Sequence, residues 1–167
     1  MGLDMYLFAA PKIEGLELKE ICWSNANLTT LKKEKSELYF KIKDYVKHFE
    51  EFEFKWESLF TEVIYWRKAN HIHHWFVQNV QGGIDDNLAL TEVKKVQIVE
   101  LYQHCHSILK DKSKAINLLP TMYGPFFGSL EYDSIYFDET ERTLNTLKEV
   151  LEDPFFENNY LLYQSSW

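Results

Sequence analysis

The chain has 167 residues, of which 46% are hydrophobic and 26% charged, and its formal net charge is −8. This composition excludes a disordered or collagen-like chain, and no apolar run approaches the roughly 18 residues of a membrane-spanning helix. The length fits a single domain over residues 1–167, and the negative charge disfavours general binding to nucleic acid, because phosphate backbones are bound through cations.

Residues near the two ends of the chain have patterns typical of β-strands. Leu3, Met5 and Leu7 alternate with other side chains, and the segment 160–164 (YLLYQ) is short and β-favouring. Two such strands could pair with each other. We therefore expect both termini to lie in one sheet, which would protect them from fraying.

Residues 36–63 carry two overlapping patterns. Apolar residues recur at steps of three and four, which is typical of a helix, but residues 38–42 and 52–56 also alternate as a strand does. A single helix from there to Val80 would have more than about 40 residues and a length of about 60 Å, which is too long for a compact domain of this size. We therefore predict a helix near 36–50 and an extended piece near 52–58.

Three helices are predicted in the second half of the chain. The first covers 64–80 and stops at Gly82-Gly83, because glycine adopts the left-handed conformation of a helix cap. The second begins at Thr91, which would serve as its N-cap. The third covers 134–151 and ends before Pro154.

The segment 118–129 (LLPTMYGPFFGS) is irregular but strongly apolar, so we expect it to lie against the body of the protein or to cover a pocket. Together these elements predict an α+β fold in which three to four helices pack on a small antiparallel sheet that includes both termini.

The cysteines and the N-terminus predict a cytoplasmic protein. Cys22 and Cys105 do not form a CxxC pair, so the spacing typical of zinc or thioredoxin-like sites is missing. The first residues include an acid and no basic region, which is unlike a signal peptide. We therefore expect free thiols in a reducing compartment.

The histidines near mid-chain are the first candidates for chemistry. His71 and His74 have a spacing that metal ligands use, but Arg67 lies on the same predicted face and disfavours a second cation. We therefore predict a solvated polar stripe and no metal site. His73 falls in the apolar arc, where it is either a core histidine bonded to a carbonyl, tyrosine or carboxylate, or a pocket histidine that acts as acid, base or ligand contact.

Acidic residues at turns have ordinary explanations. Asp85 and Asp86 follow two glycines and are expected to cap the next turn, and Asp133 is expected to cap the last helix. Phosphate-binding glycine loops and the GxSxG elbow are missing from the sequence. No catalytic residue and no cofactor is therefore predicted, and whether the protein is an enzyme stays open.

Several segments resemble a family of small proteins from tailed phages and prophages. These segments are MGLDMYL at 1–7, YWRKANxIHxWFV at 65–77, and shorter matches at 118–121, 126–129, 131–133 and 164–167. The resemblance implies a phage-related origin, and hence the cytoplasm of an infected or lysogenic host cell. It implies no particular reaction.

The segments that carry this resemblance also contain a set of polar and amphipathic residues. If the predicted helix 64–80 packs against the loop 120–133, they would line one aromatic-walled cleft suited to a small polar or anionic ligand. The alternative is a buried polar network that fixes the helix to the loop. The candidate ligand-binding residues are Tyr65, Arg67, Asn70, His73, Tyr132 and Asp133.

Three functions follow as hypotheses, one of which is a structural or regulatory protein that assembles with itself. The first is an accessory protein that acts by binding a host protein, such as a defence factor, because the chain is small, acidic and phage-like. The second is a binder of, or an enzyme acting on, a nucleotide-like or other small polar ligand, with its cleft at Arg67, His73 and Asp133.

Overall fold

The computed structural model describes residues 2–167, which form a mixed helix and sheet structure. In chain order its strands and α-helices are β1 (Asp4–Pro11), α1 (Leu18–Ala26), α2 (Leu28–Glu34), α3 (Glu37–Ile42), β2 (Lys47–Glu51), β3 (Phe54–Ser58), β4 (Thr61–Arg67), α4 (Asn70–Asn79), β5 (Thr91–Val93), α5 (Lys95–Lys110), α6 (Ala115–Leu118), α7 (Ser134–Leu151), α8 (Phe155–Asn158) and β6 (Asn159–Ser166).

Four strands form an antiparallel sheet in the order β4-β1-β6-β5. β1 pairs with β6 along its whole length, from Asp4 opposite Ser166 to Pro11 opposite Asn159. The predicted pairing of the two terminal strands is therefore confirmed, as is the α+β class. The pairing of β1 with β4 shifts register between Leu7 and Phe8, which marks a bulge.

The main sheet has a hydrophobic core on each face. Met5, Leu7 and Trp66 belong to a large core that includes buried residues of α4, α5 and α7. Ala10 and Leu162 belong to a smaller core with α1, α2 and α3. Successive side chains of a strand point to opposite faces, so β1 contributes Met5 and Leu7 to the large core and Ala10 to the smaller one.

The prediction for residues 36–58 is wrong in part. Only Glu37–Ile42 is α-helical, followed by one 3₁₀ turn at Lys43–Tyr45, and the rest is a hairpin of β2 and β3. Phe49 lies directly opposite Trp56, and their rings stack with centroids 5.5 Å apart. This cross-strand pair uses the period-two pattern, which here prevails over the helical one.

The predicted helix 64–80 is also wrong in its first part. Residues 64–67 belong to β4, where Trp66 is buried in the core and Tyr65 lies on the opposite face. A left-handed turn at Lys68, with φ of 62°, separates the strand from α4. The strand forms because β1 offers it hydrogen-bonding partners. This pairing is with a distant segment of the chain, so the spacing of apolar residues within 64–80 does not reveal it.

Helix α4 stops before the predicted glycines, whose φ angles of 68° and 83° are left-handed. Thr91 begins the short strand β5 and not a helix, because Thr91–Val93 pairs with β6. The next helix starts at Lys95. Helix α7 spans the predicted residues, and the Asp133 carboxylate caps it by accepting a hydrogen bond from the Tyr136 amide at 3.1 Å.

Residues 2–167 contain eight α-helices, more than the three to four predicted, because short pieces such as α3, α6 and α8 join the longer elements. In this same range, none of the helices is long and apolar enough to cross a membrane.

Candidate functional site

The apolar irregular segment lies against the body of the protein, and Asn70 forms three hydrogen bonds to it. We call residues 119–133 the strap. The Asn70 amide nitrogen, at the first residue of α4, donates to the carbonyl oxygens of Phe127 (3.1 Å) and Ser129 (2.8 Å). Its amide oxygen accepts from the Met122 amide at 3.1 Å. Asn70 thus fixes the strap from both sides of the turn at Pro125.

A small groove of about 140 Å³ lies where the end of β4, the first turn of α4, the strap and the start of α7 meet. Of the predicted ligand-binding residues, Arg67, Asn70 and Asp133 line it. Their role in binding a ligand stays a prediction. The groove also contains Lys68 and the buried His71, which the sequence reasoning had not selected as site residues.

His71 is buried, with 3% of its surface exposed, and its Nε2 lies 3.2 Å from the Thr140 hydroxyl oxygen. That hydroxyl already donates to the Tyr136 carbonyl at 2.8 Å, so the imidazole Nε2–H is the donor to Thr140. His71 Nδ1 is then a bare acceptor. Burial lowers the pKa of His71 to about 3, so the ring is neutral at physiological pH.

The prediction of a solvated stripe through His71 and His74 is therefore wrong. Helix α7 covers this side of α4, and the rings of His71 and Tyr136 lie 4.0 Å apart. His74 is half-buried, and its Nδ1 donates to the Pro120 carbonyl at 3.0 Å. His71 thus contacts α7, and His74 contacts the strap.

His73 does not reach the groove, contrary to the predicted cleft. It is fully buried, with Nδ1 2.7 Å from the Tyr163 hydroxyl and Nε2 3.1 Å from the Asp85 carboxylate. A carboxylate only accepts, so Nε2 carries the proton and the Tyr163 hydroxyl donates to Nδ1. Burial lowers the pKa of His73, although Asp85 opposes this effect. Of the two interpretations, the core histidine bonded to a tyrosine and a carboxylate is correct.

Asp85 accepts two hydrogen bonds, which corrects its predicted role as a turn cap. Besides the His73 imidazole, the indole Nε1–H of Trp167 donates to it at 3.2 Å. The Phe127 ring packs edge-on against both His73 and Trp167. The strap, α4 and the last strand are thus joined by one partly buried polar and aromatic network.

The two predicted tyrosines lie outside the groove. Tyr65 is on the opposite face of the main sheet, where its hydroxyl donates to Asp4 and its pKa is raised to about 12 by that bond. Tyr132 packs edge-on against Tyr136, with ring centroids 5.0 Å apart, beside the core. The alternation of buried and outward residues in β4 explains the position of Tyr65.

The hairpin β2–β3 is a second candidate site, and the sequence reasoning missed it. One of its faces carries the Phe49–Trp56 pair and Phe54, and its turn carries Phe52 in a left-handed conformation. Phe52 is 90% exposed and Phe54 77% exposed. The aromatic alternation at 52–56 predicts a strand, but it does not indicate that these rings are exposed.

Two grooves flank the Phe49–Trp56 pair. One of about 640 Å³ lies between the hairpin and the α1–α2 junction, with Asn25 and Thr29 in its wall. The other, of about 520 Å³, lies between the hairpin and the main sheet. The Asn25 side chain holds the base of the hairpin, since its oxygen accepts from the Ser58 hydroxyl (3.0 Å) and the Leu59 amide (2.7 Å).

Within residues 2–167, no group of three or more histidine, cysteine, aspartate or glutamate side chains is arranged to hold a metal ion. Comparison of the chain with protein-family models, curated proteins and solved structures found no match.

Proposed function

We propose that the protein acts by binding another protein, and that the hairpin β2–β3 is the surface that contacts it. The observation that carries this proposal is the exposure of Phe52 and Phe54 at the end of the hairpin. Large aromatic side chains dominate the energetics of protein interfaces, whereas their exposure to water is unfavourable. A surface that keeps them exposed is best explained by a partner that covers them.

The hairpin is attached to the rest of the protein at its base, and its tip is free to contact a partner. Its two strands form a sheet of their own, whose backbone pairs with neither β4 nor β1. One side-chain bond, from Lys47 Nζ to the Thr61 hydroxyl at 2.7 Å, joins its base to β4. A lone hairpin is marginally stable, so contacts at its base must hold it. These contacts are the Asn25 hydrogen bonds and an ion pair of 2.5 Å between Lys32 of α2 and Glu57 of β3. They hold the base and leave the tip free.

The charge of the hairpin indicates the chemistry of the partner. Glutamates and phenylalanines alternate at the tip, where residues 50–54 read EEFEF. Because this tip carries three carboxylates beside exposed rings, it favours a partner surface that is basic as well as apolar. Glu50 pairs with Lys55 across the hairpin at 3.2 Å, so the carboxylates of Glu51 and Glu53 remain for the partner.

The resemblance to small phage proteins supports a partner from the host cell, such as a defence factor. Such a protein would act by covering a functional surface of its target. The aromatic tip supplies the affinity, and the acidic residues around it supply attraction at a distance.

The test is affinity capture from host lysate with the full chain as bait. The variant Phe52→Ser/Phe54→Ser removes both rings at the tip. A matched control, Tyr123→Ser/Phe126→Ser, removes two rings of similar exposure (83% and 70%) from the strap. We expect the control to retain a stoichiometric partner and the hairpin variant to bind it at least about 30-fold more weakly.

Two results would contradict the proposal. One is a hairpin variant that captures the partner as strongly as the unmodified chain. The other is loss of the partner by the strap variant alone, which would place the interface at the strap. Circular dichroism spectra of both variants check that each remains folded.

A further inference from the structure

We propose that, in the absence of its target, the tip of the hairpin β2–β3 docks on a second copy of this chain, in the groove at the base of that copy's hairpin. The inference rests on the proposed function, because it takes the same hairpin as the binding surface. It adds a means of regulation, since the dimer covers the exposed rings until a target competes for them. It is carried by the match between the tip, which is acidic and aromatic, and the groove, which is basic and apolar.

The groove at the base of the hairpin has a volume of about 420 Å³. It lies where the start of β2 and the residue after β3 meet the end of β1 and the start of β6. Its apolar wall includes Pro11, Tyr45, Val46 and Leu59, and Tyr45 is 41% exposed. A groove of this size and composition accepts one aromatic ring, the kind of anchor that fills pockets at protein interfaces.

The charge of the groove is positive. Lys12 and Lys47 line it together with one acid, Asp44. Within the described part of the chain neither lysine forms an ion pair. Their Nζ atoms donate to neutral oxygens, the Phe156 carbonyl at 2.6 Å and the Thr61 hydroxyl at 2.7 Å. Both ammonium groups therefore keep their charge for the carboxylates of a second molecule.

The surface beside the groove is also basic and aromatic. Phe40 is 56% exposed, and the Lys43 Nζ lies 5.9 Å from the centroid of its ring. Residues 32–47 contain six lysines and three acidic residues, although the net charge of the chain is −8. Residues 50–54 at the tip contain three glutamates and no cation. The two ends of the hairpin therefore have complementary charges.

The tip does not fold back on its own groove. β2 has five residues, which span about 17 Å at about 3.4 Å each, so tip and groove lie at opposite ends of the hairpin. Phe52 and Phe54, 90% and 77% exposed, are not covered within the molecule. A two-fold axis that sets two hairpins antiparallel brings each tip to the other's groove, so the same contact is made twice and the dimer is closed. The carboxylates of Glu51 and Glu53 then face the lysines of the groove.

The oligomeric state of the full chain tests the proposal. Sedimentation equilibrium at protein concentrations from about 1 to 500 μM measures the Kd of the dimer. We expect a monomer–dimer equilibrium that weakens at least about tenfold between about 0.05 M and 0.5 M NaCl, because salt screens contacts between exposed charges. A chain that stays monomeric over this range overturns the proposal.

Charge reversals identify the two surfaces. Glu51→Lys/Glu53→Lys reverses the charge of the tip, and Lys43→Glu/Lys47→Glu that of the groove and its rim. Each should weaken the dimer at least about tenfold, and all four substitutions together should restore it, because the attraction forms again with the signs exchanged. The control Lys110→Glu/Lys114→Glu, at exposed positions outside both surfaces, should leave the Kd unchanged.

A dimer that resists both reversals, or a folded combined variant that stays monomeric, overturns the proposal. Circular dichroism checks the fold of each variant. The Lys43 side chain forms no hydrogen bond within the described part of the chain, so Lys43→Glu alone repeats the test if the double variant does not fold.

Capture from host lysate separates this proposal from the proposed function. Lys43→Glu leaves the tip intact and should capture the target at least as well as the unmodified chain, because the dimer competes less. A chain that never dimerises but loses its target on Phe52→Ser/Phe54→Ser overturns the dimer alone. A dimer that responds to the reversals, in a chain whose hairpin captures no target, overturns the proposed function and leaves the dimer standing.

Discussion

Asn70→Ala tests how much the Asn70 side chain contributes to holding the strap. The substitution removes three hydrogen bonds, two donated to the carbonyls of Phe127 and Ser129 and one accepted from the Met122 amide. Each contributes about 0.5–1.5 kcal/mol, and the Phe127 carbonyl is left unpaired in a buried position, so the free energy of unfolding should fall by about 2–4 kcal/mol. For a chain of this length Tm should fall by roughly 4–16 °C.

Urea denaturation, followed by tryptophan fluorescence and circular dichroism, measures the loss. The matched control is Asn79→Ala at the other end of the same helix, where the side chain donates only to the Trp75 carbonyl at 2.9 Å. Asn79 is exposed, so this variant should change the free energy of unfolding by less than about 0.5 kcal/mol. Equal effects of the two substitutions would refute the reasoning, because Asn70 would then not hold the strap.

Three further variants test the buried polar groups and the strap. His71 is protonated near pH 6.5 in the unfolded chain but only near pH 3 in the folded protein. As the pH is lowered from 6.5 to 3, the free energy of unfolding should therefore fall by up to about 1.4 kcal/mol per pH unit. When the free energy of unfolding is measured by urea denaturation at several pH values, His71→Gln should remove this pH dependence. An unchanged dependence on pH would contradict the claim that burial lowers the pKa of His71. Tyr163→Phe leaves the buried Nδ1 of His73 unpaired and should lower the free energy of unfolding by about 1–3 kcal/mol. The control is Tyr123→Phe at an exposed position. Equally small losses in both variants would show that the bond between Tyr163 and His73 does not stabilise the fold. Gly124→Ala places a methyl group 2.4 Å from the buried Phe127 ring and should cost about 1–3 kcal/mol, so an unchanged Tm would show that the ring moves freely.

Elements with local signals were predicted well from the sequence. Helix α7 has its cap at Asp133 and is followed closely by Pro154, and both signals lie within the segment itself. The N-terminal strand shows period-two alternation, the segment 160–164 is short and β-favouring, and the two strands pair as expected. In these places propensity, capping and packing all favour the same structure.

Elements decided by distant partners were predicted poorly. Tyr65 and Trp66 fit the apolar face of a helix that continues to Val80, yet residues 64–67 form a strand because β1 lies beside them. The assignment of residues 64–67 to a helix also misplaced residues of the predicted site. When residues 64–67 leave the helix, Tyr65 turns to the other face of the sheet, and α7 covers His71 where water was expected. Arg67 and Asp133, which were predicted for the cleft, both line the groove, but His71 lies in its wall where His73 was expected.

The hairpin shows a different limit of the sequence. The alternation in FEFKW at 52–56 correctly predicts a strand. It does not report whether the aromatic face is covered, because exposure depends on how the hairpin leaves the body of the protein. Here the contacts of Asn25 and Lys32 hold only its base, and the phenylalanines at the tip remain exposed.

Site-specific photo-crosslinking in host cells tests most directly whether the hairpin is the surface that contacts a partner. A photoreactive phenylalanine analogue replaces Phe54 in one variant and Tyr123 of the strap in the other, since both side chains are largely exposed. We predict that the Phe54 variant forms a covalent adduct with one host protein and the Tyr123 variant does not. An adduct formed from Tyr123 and none from Phe54 would contradict the account.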